Sequence, residues 1–178
     1  MVPDYFAGHS LGEYTALVAA GSLAFADALP LVRFRAQAMQ DAVPAGTGAM
    51  AAVLGLDATA VREVCGELSA GSQEVVEAVN FNDPKQVVIA GTKAGGDKAC
   101  EALKARGAKR AMLLPVSAPF HSSLMKPAAQ RLRTRLAATA FVAPRIPVMN
   151  NIDVQIQADP EAIRDALYRQ AFGPVRWV

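Results

Sequence analysis

The chain has 178 residues, 52% of them apolar, and a formal charge of +2 with both signs interspersed. That composition fills the core of one or two domains and lacks the basic stripe that nucleic-acid binding demands. No apolar run approaches the roughly 20 residues of a membrane span, MVPDYFAG at the start has neither the basic nor the apolar region of a signal peptide, and a cytoplasmic location is expected.

The first element is short: YFA (5–7) is the stump of a strand, GHSLG turns, and EYTALVAAG is a helix stopped by Gly21. Strand, tight glycine turn and helix form one unit. Asp27 then caps a helix to about Val43, with Leu29, Val32, Ala36, Met39 and Val43 on one face and Pro44 ending it. From residue 48 the elements are shorter and bounded by turn residues. AMAAVLG (49–55) is strand-like, Asp57 caps a helix to about Leu68, EVVEAVNF (74–81) is a second strand, and QVVIAG (86–91) returns after Asn82-Asp83-Pro84. A helix to about Arg106 and the strand AKRAMLLPV (108–116) complete the βαββαβ order of a ferredoxin-like unit. Cys65 and Cys100 lie too far apart for a metal knuckle and are expected as reduced, buried apolar residues.

Beyond SAPFHSSLM, a helix runs from about Ser122 to Ala138 with Leu124, Ala128, Leu132 and Leu136 in register. IPVMNN (146–151) is a strand, and Asp159-Pro160 starts a last helix with Ile163 and Leu167 on its inner side. The fold class is α/β: a ferredoxin-like subdomain at 48–116 interrupts a larger layer made of 1–47 and 117–178. Only two strands of that layer are visible, fewer than an open parallel sheet uses.

AGHSLGEY (7–14) holds the G-x-S-x-G pattern, which carries weight only through its context between strand and helix. Such an elbow lifts the Ser10 hydroxyl out of the fold and aims the first amides of the new helix, Leu11 N–H among them, at the space beside it, where they can hold an oxyanion. A serine needs a base, usually a neutral imidazole. His9 adjoins Ser10, but neighbours on an extended approach point to opposite sides, so His9 is expected to pack beneath the elbow. His121, in a loop, is the better base. Nothing in the spacing selects an acid to orient it, and periodicity places Arg33 and Arg35 about equally far from the apolar stripe.

AGHSLGEY, LVRFRAQAMQ, GTGAMAAVLGL, NFNDPKQVVIAG, LPVSAPFHSSLMKPA and PVMNNIDV closely resemble, in order and end to end, the malonyl-CoA:acyl carrier protein transacylases. The resemblance implies a serine acyltransferase of fatty acid biosynthesis with a partial α/β-hydrolase-like core. Ser10 would be the nucleophile, His121 the general base, and the backbone carbonyl of Gln170 the group that orients the imidazole. Arg35 would grip the substrate carboxylate, and Phe120 would crowd an α-methyl branch, with His9 also at the pocket. Malonyl-CoA is the substrate and acyl carrier protein the partner, with no metal and no bound cofactor. The family's opening strand with its glutamine-bearing turn and its closing strand are not in the sequence, so a central portion of such an enzyme is expected. Rival readings are a serine esterase or thioesterase, which shares the elbow and base, and an acyltransferase fragment of a polyketide synthase. Lys104, Arg106, Lys109 and Arg110 are expected to help dock the acidic carrier. Transfer to carrier protein should then slow with added salt while transfer to free pantetheine does not; equal salt dependence would remove these residues from docking.

Overall fold

In the computed structural model, which describes residues 2–70, 73–116 and 118–178, the apolar side chains gather into two main clusters with a cleft between them. The architecture is mixed α/β. The first cluster is built by β1 (Phe6–Ala7), α1 (Leu11–Ala19), α2 (Phe25–Gln40), α5 (Lys126–Ala137), β6 (Val148–Met149) and α6 (Pro160–Gln170). β1 and β6 pair in parallel, Phe6 opposite Val148 and Ala7 opposite Met149. Tyr14, Leu17, Leu31, Leu132, Leu136 and Leu167 fill the space between these elements.

Two of these helices differ from the sequence expectation. α2 begins at Phe25, and Asp27 lies inside its first turn, where a carboxylate complements the helix dipole, instead of capping it. Its buried residues are Ala28, Leu31, Arg35, Ala38 and Met39, so of the expected face Met39 does turn inward, while Leu29 is 53% exposed and Ala36 is also exposed. Residues 25–40 carry two overlapping apolar stripes, and the buried arginine makes the true one look broken. The expected helix from Ser122 is a 3-10 turn (Ser123–Met125) followed by α5, with Pro127 at its start and Met125, not Leu124, fully buried. A proline donates no hydrogen bond, so the regular ladder can start only around it.

The second cluster belongs to β2 (Gly48–Leu54), α3 (Ala58–Ala70), β3 (Val76–Asp83), β4 (Gln86–Thr92), α4 (Lys93–Ala105) and β5 (Arg110–Leu113). Strand alternation sends Ala51, Val53, Val87 and Ile89 toward α3 and α4, where they meet Val61, Val64 and Leu103; Met50, Val88 and Ala90 face the other way. At Gly91 a Cβ would come within 1.9 Å of Val75 O, so the close approach of β3 to β4 requires glycine there. The sheet order is β5-β2-β4-β3-β7, and its last member is unforeseen: β7 (Val175–Arg176) pairs in parallel with β3. Trp177 and Val178 N–H donate to Phe81 O at 3.1 and 3.2 Å, which ties the end of the described chain to this sheet. Cys65 and Cys100 are free and buried.

Leu31 lies at the centre of the first cluster, so Leu31→Ala is expected to cost about 2–5 kcal/mol, read as a lower urea midpoint at unchanged slope. An unchanged midpoint would put Leu31 outside the core.

Candidate active site

The turn before α1 is held by glycine at one end only. A Cβ on Gly8 would sit 1.9 Å from Gly12 O, whereas one on Gly12 would meet nothing within 4 Å. Between them Ser10 adopts φ 53°, ψ −106°, a left-handed conformation that a serine keeps only when its surroundings over-determine it. They do so through both of its backbone groups: Ser10 N–H donates to Asn151 Oδ1 at 2.6 Å, and Ser10 O accepts from Gln170 Nε2 at 3.1 Å and from Glu13 N–H at 3.1 Å. Asn151 Nδ2 in turn donates to Gly8 O at 2.9 Å. Leu11 N–H, the first amide of α1, takes no backbone acceptor among the described residues.

The structure brings Ser10, Arg35, His121 and Gln170 together. Ser10 Oγ is 2.7 Å from His121 Nε2, and His121 Nδ1 donates to Gln170 O at 2.8 Å, which leaves Nε2 as the free acceptor. His121 is buried with φ 66°. Burial, reinforced by the Arg35 charge and opposed by the bond to Gln170 O, lowers its pKa from 6.5 to about 4. The imidazole is therefore neutral at physiological pH and able to take a proton. Arg35 Nη2 donates to Ser10 Oγ at 3.0 Å and to Gln170 Oε1 at 3.1 Å.

Arg35 is only 7% exposed, and among the described residues no carboxylate lies within ion-pair distance of it and its Nε has no partner. A guanidinium cannot shed its charge, so a buried one ordinarily has an anion beside it. Here the charge is offset by polar groups and by the Tyr14 ring, 5.5 Å away, and the guanidinium stays available to an incoming carboxylate.

Sequence reasoning missed Glu13 and Asn151 altogether and foresaw only the backbone of Gln170. Glu13 is buried, and its Oε2 accepts from Asn151 N–H and from Gln170 Nε2, both at 2.9 Å. Burial pushes its pKa up to about 7, against the pull of Asn151, Gln170 and the Arg35 charge. One signal was available: Glu13 falls three and four residues before the buried Ala16 and Leu17, on the inner face of α1.

His9 does not pack beneath the elbow. It is exposed at the cleft mouth, its Nε2 2.9 Å from Asn82 Oδ1 and its ring edge-on to Trp177 at 5.5 Å. The elbow's interior is already filled by Asn151 and Gln170, so the imidazole turns outward. His9, Ser10, Arg35, Met50, Phe120 and His121 line a cleft of about 380 Å³, with Phe120 half-buried between clusters. Lys104, Arg106, Lys109 and Arg110 are exposed, but Arg106 bonds Glu67 at 3.1 Å, which cancels part of that basic run. Among the described residues no His, Cys, Asp and Glu group is arranged to hold a metal, and no helix is long and apolar enough to cross a membrane.

A serine on a strained strand-to-helix turn, bonded to a buried histidine beside a buried arginine in an α/β scaffold, has the geometry that nucleophilic acyl transfer requires. The chain belongs to the acyl transferase domain family, which it matches over residues 1–176. It is 55% identical to the malonyl CoA-acyl carrier protein transacylase of Escherichia coli (strain K12) over 98% of this chain and 56% of that protein. The crystal structure of an acyl-carrier-protein S-malonyltransferase from Burkholderia pseudomallei 1710b is 70% identical with a TM-score of 0.95, covering 98% of this chain and 56% of that one. A malonyl-transacylase solved in complex with its type II polyketide synthase acyl-carrier protein is 51% identical with a TM-score of 0.96, over 99% and 57% of the two chains. The chain thus spans just over half the length of these relatives.

The depressed pKa of His121 sets a pH profile. Above about pH 5 the imidazole is neutral, so labelling of Ser10 by a fluorophosphonate is expected to stay level down to that point and to fall with a midpoint near pH 4. A midpoint at the ordinary histidine value of 6.5 would contradict the burial argument.

Proposed function

We propose that the protein transfers a malonyl group from malonyl-CoA to the pantetheine thiol of an acyl carrier protein, through a malonyl ester on Ser10. The observation that carries this reading is the buried Arg35, without a carboxylate partner among the described residues, 3.0 Å from the Ser10 hydroxyl. A hydrolase of simple esters has no use for such a charge; an enzyme for a dicarboxylic acyl group does. The names of the similar proteins support the same substrate and acceptor. The relative solved with a polyketide carrier keeps that carrier type as a second possible acceptor.

In the first half-reaction His121 Nε2 takes the Ser10 proton, Oγ attacks the thioester carbonyl, the oxyanion forms beside Leu11 N–H, and the C–S bond breaks. The leaving thiolate receives the proton from His121. In the second half the carrier's thiol gives its proton to His121, attacks the serine ester and departs with the malonyl group, returning the proton to Ser10. The Gln170 carbonyl, 2.8 Å from Nδ1, holds the imidazole and favours the imidazolium that forms in each step. Arg35 meets the far carboxylate with charge-assisted bonds, and Phe120 narrows the space around the acyl α-carbon. This chemistry uses side chains and backbone amides alone.

The scaffold fits a partial α/β-hydrolase-like core, residues 1–47 and 117–178, carrying a ferredoxin-like insert at 48–116. The order β5-β2-β4-β3 and the helices α3 and α4 packed on one sheet face support the insert.

Intact-mass and peptide mass spectrometry after malonyl-CoA should find the malonyl group on Ser10, and a label on any other residue would defeat the scheme. Losing a charge-assisted hydrogen bond costs about 1.5–3 kcal/mol, so Arg35→Ala should lower kcat/KM for malonyl-CoA by roughly ten- to a hundredfold. Acetyl transfer should hold or improve. Equal loss with both substrates would favour a generic esterase.

A further inference from the structure

The elbow motif GHSLGEY (8–14) carries a glutamate that the scheme above leaves without a task. Glu13 is 2% exposed on the inner face of α1, where a carboxylate is rare unless it is bonded. Its Oε2 accepts from Asn151 N–H and from Gln170 Nε2, both at 2.9 Å. Those two residues also hold the backbone of the nucleophile, since Asn151 Oδ1 accepts from Ser10 N–H and Gln170 Nε2 donates to Ser10 O. One carboxylate oxygen thus ties both supports of the strained serine to the helix that follows it.

The bond to Gln170 also sets a direction. The oxygen and nitrogen of a side-chain amide are nearly equal in size, so its bonding partners, and not the shape of its site, decide which way it points. With the nitrogen toward Glu13 Oε2 and Ser10 O, the oxygen meets Arg35 Nη2 at 3.1 Å. Turned over, the amide would set an oxygen against two acceptors and an N–H against a guanidinium, which has donors alone. Arg35 would then lose an acceptor and be pushed from its place beside Ser10 Oγ.

We propose that Glu13 is a positioning residue for acyl selectivity: it fixes the Gln170 amide with its oxygen toward Arg35, and so holds the guanidinium where the far carboxylate of the acyl group arrives. The inference rests on the reading that Arg35 receives that carboxylate. An acetyl group makes no use of the guanidinium, so loss of this function falls on malonyl transfer, whereas general loosening of the serine slows both acyl groups alike.

Two variants separate these roles. Glu13→Gln keeps an oxygen at the same reach, and Glu13→Asp keeps the charge but draws the oxygen back by one methylene. The rates of Ser10 acylation by malonyl-CoA and by acetyl-CoA are read by intact mass, and their ratio is taken within each protein, so that an unfolded fraction cancels. Glu13→Asp should lower the malonyl-to-acetyl ratio roughly tenfold, the effect of one neutral hydrogen bond and its stranded donor, while Glu13→Gln should stay within about twofold of wild type. In Arg35→Ala protein, adding Glu13→Asp should leave the ratio where it was. Equal slowing of both acyl groups by Glu13→Asp, a fall in Glu13→Gln as large as that in Glu13→Asp, or a further fall in the Arg35→Ala background overturns the assignment. Should wild-type protein show no preference for malonyl-CoA, the reading of Arg35 fails instead, and this inference with it.

Discussion

The site depends on one constraint: the wholly buried Gln170 must have every polar atom satisfied, and each of its partners belongs to the reaction centre. Its carbonyl, at the last residue of α6, is one of the helix-end acceptors that no intrahelical amide reaches, and His121 Nδ1 takes it. Its side-chain oxygen accepts from Arg35, and its nitrogen donates to Ser10 O and to Glu13. Displacing Gln170 would misplace the hydroxyl, the imidazole and the guanidinium together. A fully satisfied buried network of this kind resists rearrangement, because each partial break strands a polar group in low dielectric.

The same network explains why no acidic residue orients the histidine. A carboxylate at Nδ1 would lie close to Arg35, already bonded to Ser10 Oγ and Gln170, and would compete with an incoming anion for its charge. A neutral carbonyl at a helix C-terminus supplies partial negative charge without forming an ion pair. Glu13 senses the Arg35 charge but forms no ion pair with it among the described residues, and at neutral pH it carries only part of a negative charge. Its own burial holds its pKa near 7. Electrostatic compensation is thus spread through polar groups, which leaves the Arg35 charge free to meet an incoming anion.

The cleft lies where two apolar clusters meet. α1, α2 and α6 bring Ser10, Arg35 and Gln170 from one side; β2 and β3 bring Met50 and Asn80 from the other. His121 and Phe120 sit on the connection between them. Two local irregularities aim side chains into this space, the left-handed Ser10 and the bulge at Val79. β7 pairs with β3, and Trp177 beyond it meets the His9 ring edge-on.

Much was legible in the sequence, because it depends on neighbours along the chain. Glycine at position 8 is required by a contact four residues away, and the mixed α/β order follows from residues that alternate or repeat within each element. Ser10 and His121 stood out as residue types that do such chemistry. What depends on approach in space was not legible. The choice of Arg35 over Arg33 by burial, the inward turn of Glu13 and Asn151, the outward turn of His9 and the pairing of β7 with β3 all follow from how α2, α5, α6 and the sheet pack. Side-chain periodicity describes one element at a time, whereas a buried polar group is stable only where several elements bring it partners. Packing therefore decided which of the polar residues the chain supplies would face one another.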